Sequence, residues 1–281
     1  MSTISKRPKF SIITVSYNHD QYIHQTIQSV LNQSFDDFEY LIVDGNSKDN
    51  SRKVIEKYTK DPRLKAIFQE TNEGAVNGLN LGFKKANGEF LGYINSDDFY
   101  LKNTLKDVEN IFLNNPSIDI IFGNAYIIND ENIIVKDFIS KDFSFKRLKI
   151  SEYLVCQQAT FFKKKVFDQT NGFNPLNNRS WDFELFVDMI KTGAKFKRIG
   201  NFLGCFRVYE GTITSKGNIE NRKKNLDHIF NKYFTKPLSF YEKIEKKMIY
   251  LIDRLNVKFI FNKIKIIYYK IKKIKVSSNE K

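Results

Sequence analysis

From residue 10 to about 125, short apolar β-branched runs alternate with amphipathic stretches, the pattern of βαβ units around a mostly parallel sheet. The runs predict strands over 10–16, 39–43, 64–68, 90–94 and 118–122. Between the first two, Tyr22, Ile23, Thr26, Ile27, Val30 and Leu31 recur at the spacing of one helix face. Val54, Ile55 and Tyr58 repeat that pattern. Asp49 and Asn50 are placed to cap this second helix, and Asp61-Pro62 ends it, because the residue before proline disfavours the helical region.

After residue 125 the alternation is less regular, so an α+β half is expected to follow a Rossmann-like half. A hairpin is predicted over 125–135 around Asn129-Asp130, a strand over 157–162, a helix over 181–191 and strands over 195–199 and 203–208. Beyond Gly217 the chain turns to Lys, Ile, Asn, Phe and Tyr at helical spacing. Two parts are therefore expected, an α/β body over 1–217 and a basic helical appendage over 218–281.

Charge supports that division. The 281 residues carry 46 Lys and Arg against 32 Asp and Glu, and from Lys216 onward there are 18 basic against 6 acidic residues. A near-neutral body thus ends in a cationic tail, the kind of charge asymmetry that marks a polyanionic partner or surface. Asp253, Arg254, Lys258, Lys263 and Lys265 interrupt the most apolar part of the tail, so no bilayer span is expected. With 41% hydrophobic residues the chain can bury a sizeable core. Cys156 and Cys205 show neither metal-site spacing nor a disulfide framework and read as small buried hydrophobes. MSTISKRPKF runs into the first strand without a secretory pattern, so the cytosol is the expected compartment.

Open α/β sheets bind ligands beyond the carboxyl ends of their strands. Three predicted ends carry suitable groups: Thr14-Val15-Ser16-Tyr17-Asn18, Asp44-Gly45-Asn46-Ser47 and Asn95-Ser96-Asp97-Asp98. Neither GxGxxG after the first strand nor GxxxxGK[ST] occurs, so phosphate binding would need a metal, and Asp97-Asp98 offers hard oxygen ligands for Mg²⁺ or Mn²⁺. On spacing alone the pair also fits an acidic turn, and Asp44 also fits an Asx turn ahead of Ser47. Asp182, beside the only tryptophan, reads either as a general base or as a helix-start carboxylate favoured by the macrodipole.

Over roughly residues 9–215 these elements resemble the inverting glycosyltransferases of family 2, with the GT-A fold. The resemblance rests on six blocks in order: SIITVSYN with SVLNQSF, FEYLIVDGNSKDNS, NSDD, CQQATFFKKKVFDQTNGFN, WDFEL and CFRVYEG. It implies an α/β GT-A fold in which a Rossmann-like nucleotide-binding half joins an acceptor-binding half. It also implies that Tyr17 and Asp44 hold the nucleotide base, with Thr14 at the same strand end, that Asp97 contacts ribose or metal, and that Asp98 ligates the metal. Asp182 would take the proton of the attacking hydroxyl, and Arg207 would face the diphosphate, its alternative being a strand-surface arginine. His19 and His24 match nothing catalytic and are expected to be exposed. Asn95 stands where many members carry Asp, Trp181 replaces a frequent Glu and offers a stacking face for a sugar, and the QxxRW motif of processive members is absent.

The implied activity is non-processive transfer of a sugar from a nucleotide sugar, UDP-linked, to a glycan or lipid-linked acceptor in cell-surface polysaccharide synthesis, of capsule or O-antigen type. A sugar nucleotidyltransferase is the nearer rival, but its Gly-rich loop and catalytic Lys near the N-terminus are missing. A nucleic-acid binder has only the basic aromatic tail in its favour, and nucleic acid is not an expected partner. In that tail Ile244, Met248, Leu251, Ile252, Leu255 and Phe259 form one stripe with lysines largely off it, as an in-plane helix on the cytoplasmic face of an anionic membrane requires. Packing on the body or on a partner of a homodimer is the alternative cover.

Overall fold

The computed structural model describes residues 7–144, 155–177, 179–212, 229–234, 239–255, 265–266, 268–269 and 271–278. Strands β1 (Phe10–Ser16), β2 (Phe38–Asp44), β3 (Leu64–Phe68) and β4 (Phe90–Tyr93) lie parallel in the order β3-β2-β1-β4. Helices α1 (Ile23–Leu31), α2 (Ser51–Glu56) and α3 (Ala75–Lys85) connect them in turn. Residues Ser16 and Asp44 pair directly, and Asp44 pairs with Phe68, so the three strands end level. Their loops therefore open on one rim.

Beyond β4 the sheet continues through β8 (Thr160–Lys163), β6 (Ile120–Ile128), β9 (Phe196–Arg207) and β5 (Phe99–Tyr100), with β7 (Ile134–Phe138) folded back on β6. Strand β8 runs antiparallel to both β4 and β6, whereas β6 and β9 are parallel. Helices α1 and α2 and helix α4 (Thr104–Asn114) pack on one face around Phe10, Ile12, Tyr40 and Ile42. On the other face lie α3, a short helix α5 (Lys164–Phe167) and helix α6 (Trp181–Lys191), packed against Ile13, Leu41, Leu91 and Phe162.

The first four strands match the sequence expectation to within a residue at each end. Other elements are corrected. The predicted strand over 118–122 and hairpin over 125–135 are one long β6 turning into β7, and the two strands predicted over 195–199 and 203–208 are one continuous β9. Gly200 and Asn201 read as a break, but the strand passes through them while the β6–β9 register shifts around Asn124. The predicted strand over 157–162 begins as a turn of 3₁₀ helix, Gln157–Ala159, before β8. Helix α3 was not expected from the pattern, since Gly78 and Gly82 interrupt it. At Gly82 a Cβ would come within 2.7 Å of Ile13 Cγ2, so α3 lies closer to the sheet there than a larger residue permits without a shift, while one on Gly78 would make a tight 3.1 Å contact with Val15 Cγ1.

The 217/218 boundary falls outside the described residues. On its far side, residues 229–234 pack on α6 within the second core, where Ile229 is buried. Residues near the chain end pack on the β6–β7 hairpin, where Tyr269 shares a small core with Phe99, Ile128 and Cys205. Between them, helix α7 (Phe240–Leu255) exposes apolar side chains. Among the described residues no helix is long and apolar enough to cross a membrane.

Candidate active site

At the rim, the loops after β1 and β2 are laced together. The Asn18 N–H donates to Ser47 Oγ at 2.9 Å, Lys48 N–H to Asn18 Oδ1 at 2.7 Å, and Asp20 N–H to Asp49 Oδ2 at 2.9 Å. Asn18 and Asn46 take positive φ of 54° and 64°, a region that asparagine tolerates better than other side-chain-bearing residues. Tyr17 stands out from this rim with 43% of its surface exposed. Asp44 is buried one strand over, its carboxylate accepting from Ser47 N–H at 2.9 Å and Ser47 Oγ at 2.7 Å. The Asx turn is thus formed. Each carboxylate oxygen keeps a second lone pair for a further donor.

The acidic loop divides its two carboxylates. Asp98 turns inward and is fully buried, accepting from Arg207 N–H at 2.7 Å, Gln158 Nε2 at 2.8 Å and Asn95 Nδ2 at 3.0 Å. Burial, then the charge of Asp97, pushes its pKa well up, against the pull of those three donors. Asp97 is only partly buried, and its carboxylate meets the Tyr209 hydroxyl at 3.4 Å. Burial raises its pKa too, opposed first by His19, then by its own backbone N–H, and then by Arg207 and Tyr209. Of the adjacent pair, Asp97 is the one with oxygens left over for a ligand. The expectation made Asp98 the principal ligand, whereas the geometry gives Asp98 the task of holding loop and closing strand together.

Two further expectations are corrected. Thr14 is buried, its hydroxyl donating to the Ile94 carbonyl at 2.8 Å and accepting from Tyr40 at 2.9 Å, so it binds strand to strand rather than nucleotide. Arg207 does not face an open diphosphate position. It is 1% exposed, with Nε on the Asp97 carbonyl (2.8 Å), Nη1 on the Asn129 carbonyl (2.9 Å) and Nη2 on Gln25 (2.8 Å), and its guanidinium carbon lies 4.7 Å from the Tyr22 ring centre. Burial lowers its pKa, and Asp98 offsets part of that effect. The arginine is a buried strut of the acidic loop.

Asp182 sits partly buried in the first turn of α6, where its Oδ1 accepts from the Phe183 N–H at 2.8 Å. Tyr93 and Cys156, both buried, feel the charges of both Asp98 and Asp182. Burial first, and those carboxylates second, hold the Tyr93 phenol and the Cys156 thiol protonated. Cys156 and Cys205 are buried free thiols, as expected. Two residues along, Glu184 is buried and collects Asn174 (3.1 Å), Asn177 (2.8 Å) and Lys232 (2.6 Å), which fixes the loop leading into the helix.

Several site residues escaped the sequence reading. His19 is partly buried rather than exposed, with Nδ1 2.6 Å from Ser96 Oγ and its charge acting on Asp97. Gln158 belongs to the CQQAT block, but only the fold shows that it reaches Asp98. His24 is exposed, as expected, beside the Tyr58 hydroxyl at 2.6 Å. A hollow of about 310 Å³ lined by Gln28, Asn32, Lys57, Tyr58 and Arg63 lies near α1 and α2 and includes none of the site residues. Among the described residues no group of three or more His, Cys, Asp or Glu side chains is set to hold a metal. A divalent cation shared with a diphosphate needs only one or two carboxylates.

Residues 11–170, more than half of the chain, match the domain described as glycosyl transferase family 2. The chain is 38% identical over 212 residues to the putative teichuronic acid biosynthesis glycosyltransferase TuaG of Bacillus subtilis, covering 74% of this chain and 82% of that one. It is 35% identical over 209 residues to the UDP-Glc:alpha-D-GlcNAc-diphosphoundecaprenol beta-1,3-glucosyltransferase WfgD of Escherichia coli, covering 73% and 79%. Against the chondroitin synthase of Pasteurella multocida, 29% identical over 227 residues, it uses 80% of its own length but spans only 23% of the relative. In fold it superposes on S. aureus TarS 1-349 in complex with UDP-GlcNAc with a TM-score of 0.66 at 21% identity, over 89% of this chain and 73% of that one. The mannosyltransferase PcManGT of Pyrobaculum calidifontis, in complex with GDP-Man and Mn²⁺, superposes with 0.63 at 15% identity, over 86% and 70%. The α/β sheet with its level strand ends is therefore the GT-A fold, and the chain belongs to glycosyl transferase family 2 and is a glycosyltransferase.

Proposed function

We propose that the protein moves a sugar from a UDP-linked donor to a hydroxyl of a glycan or lipid-linked acceptor, with inversion, in the synthesis of a cell-surface polysaccharide. The observation that carries this reading is that β1, β2 and β4 are neighbours in the sheet, so that the loops after them bring Tyr17, Asp44 and Asp97 to one rim. In this reading Tyr17 lies against the face of the base and Asp44 accepts from its edge with the lone pairs Ser47 leaves free. Asp97 would hold a Mn²⁺ or Mg²⁺ ion, and its donor set fits one: a hard carboxylate, partly open, carried by a loop that Arg207 braces. Such an ion supplies neutralisation of the departing nucleoside diphosphate. Asp182 accepts the proton of the acceptor hydroxyl as it attacks the anomeric carbon, and Trp181 beside it offers a face to the sugar.

The relatives support this choice of substrates. WfgD's name gives UDP-Glc as donor and a diphosphoundecaprenol-linked acceptor, TuaG's gives teichuronic acid synthesis, and the similar TarS structure holds UDP-GlcNAc. A lipid-linked acceptor would place the work at the cytoplasmic face of a membrane. The test is thermal unfolding with UDP-Glc, UDP-GlcNAc and GDP-Man, with and without Mn²⁺. A ligand at a hundred times its Kd stabilises by about 2.7 kcal/mol. A shift by a UDP-sugar that requires the metal is expected; no shift with any of the three would overturn the donor assignment.

A further inference from the structure

The segment after residue 228 does two opposite things. Parts of it are clamped to the body. Lys232 meets buried Glu184 at 2.6 Å, Tyr233 donates to Asp188 at 2.7 Å, and Ile229 is buried beside α6. Near the chain end Lys265 and Tyr269 both reach Asp137, at 2.6 and 2.9 Å. There the backbone of Ile274 and Val276 bonds across to Ile134 and Asn132.

Between these clamps α7 leaves its apolar face open. Phe240, Tyr241, Ile244, Met248 and Leu251 are exposed by 73, 82, 40, 56 and 54%. At about 100° per residue they fall within one arc of roughly 100°. The exposed Lys243, Lys246 and Lys247 lie off that arc. Tyr268 and Ile271, exposed by 49 and 71%, add apolar surface beside Lys272, Lys273 and Lys275. No more than about 20 Å of extended chain separates clamped Phe234 from Phe240, so α7 cannot stray far from α6.

We propose that the open arc of α7 lies flat on an anionic bilayer, held near the α6 side of the enzyme by the two clamps. Its apolar arc enters the headgroup boundary, Lys247 and Lys243 lie beside the arc toward the negative surface, and Lys246 stays on the water side within reach of its field, the arrangement an in-plane helix requires. A second copy of this chain is the poorer occupant, because the region from Lys216 onward carries 18 basic against 6 acidic residues and would meet its own like charge. The inference extends the lipid-linked acceptor reading but is measured without it.

The experiment is co-sedimentation of the full chain with vesicles of phosphatidylcholine alone and of phosphatidylcholine with one quarter phosphatidylglycerol, with light scattering in parallel. Binding to the anionic vesicles is expected, weakened at least tenfold in Ile244→Asp/Met248→Asp and in Lys243→Glu/Lys246→Glu/Lys247→Glu, with unchanged melting temperatures. Pelleting of both variants equal to the parent, absence of parent binding, or a dimer that Met248→Asp dissolves would overturn it. Should the donor assignment fail instead, the nucleotide-sugar melting shift disappears while vesicle binding stays.

Discussion

Helix α1 buries Ile23, Ile27 and Val30 completely and Leu31 to within 9%, whereas α7 leaves Phe240 and Tyr241 mostly in solvent and Met248 and Leu251 half exposed. Both sequences carry apolar residues at helical spacing with polar residues between. Periodicity therefore fixes that a helix has an apolar face and is silent about what covers it. For α1 the cover is supplied by β1 and β2, which the chain itself delivers on either side of the helix. For α7 nothing among the described residues covers the arc. Helix α6 stands between these cases, with Asp182 only partly buried in its first turn and residues 229–234 clasping it.

The largest effect expected concerns that intermediate helix. Asp182→Asn keeps the shape of α6 but removes the base proposed above, so turnover should fall by about 100- to 10,000-fold while donor affinity by calorimetry stays within twofold. Parallel loss of both would place α6 in donor binding instead. Next comes the covered face: Ile27→Ala should cost about 2–5 kcal/mol in chemical denaturation, as loss of a fully buried aliphatic does. A loss below 1 kcal/mol there would break the contrast between the helices.

A smaller effect tests the clasp. Burial pushes the Glu184 carboxyl up, but Lys232, Asn177 and Asn174 outweigh it and hold the pKa below the usual range. Its stabilising contribution is complete above the unfolded glutamate pKa of about 4.3 and is lost as the pH falls through the lower folded value. The melting temperature of the parent should therefore drop more steeply below about pH 4 than that of Glu184→Gln. Parallel curves would show that the clasp does not depend on charge. The smallest effect belongs to the open face, where Met248→Ala should change stability by no more than about 0.5 kcal/mol in the absence of vesicles.

Strands β1 to β4 were legible because each is a short apolar run closed by polar loop residues, with one pattern serving both strand and candidate site. Helix α3 was not, because its close approach to the sheet favours glycine, above all at Gly82, and glycine is what a helix reading counts against. Among site residues, the type was visible but the direction was not. Asp97 and Asp98 are chemically identical, and only the positions of Arg207, Gln158 and Asn95 decide which of them turns inward. Thr14 lies on the first strand three residues before Tyr17, yet its hydroxyl meets Tyr40 rather than the rim. His19 was unreadable because its partner, Ser96, lies 77 positions away.

The strut formed by Arg207 has a consequence for the order in which the molecule is made. Its Nη2 bonds to Gln25, 182 positions earlier, and its N–H to Asp98, 109 positions earlier. Strands β1 to β4 can pair while the ribosome is still adding the second half, since domains fold from the N-terminus as they emerge. The acidic loop must wait, because until Arg207 arrives Asp98 lacks its backbone donor and the Asp97 carbonyl its guanidinium. So long a closure comes late, and the acidic loop therefore matures after the first half of the sheet. A nascent chain halted at Gly200 should therefore resist proteolysis in its first three strands and yet bind no nucleotide.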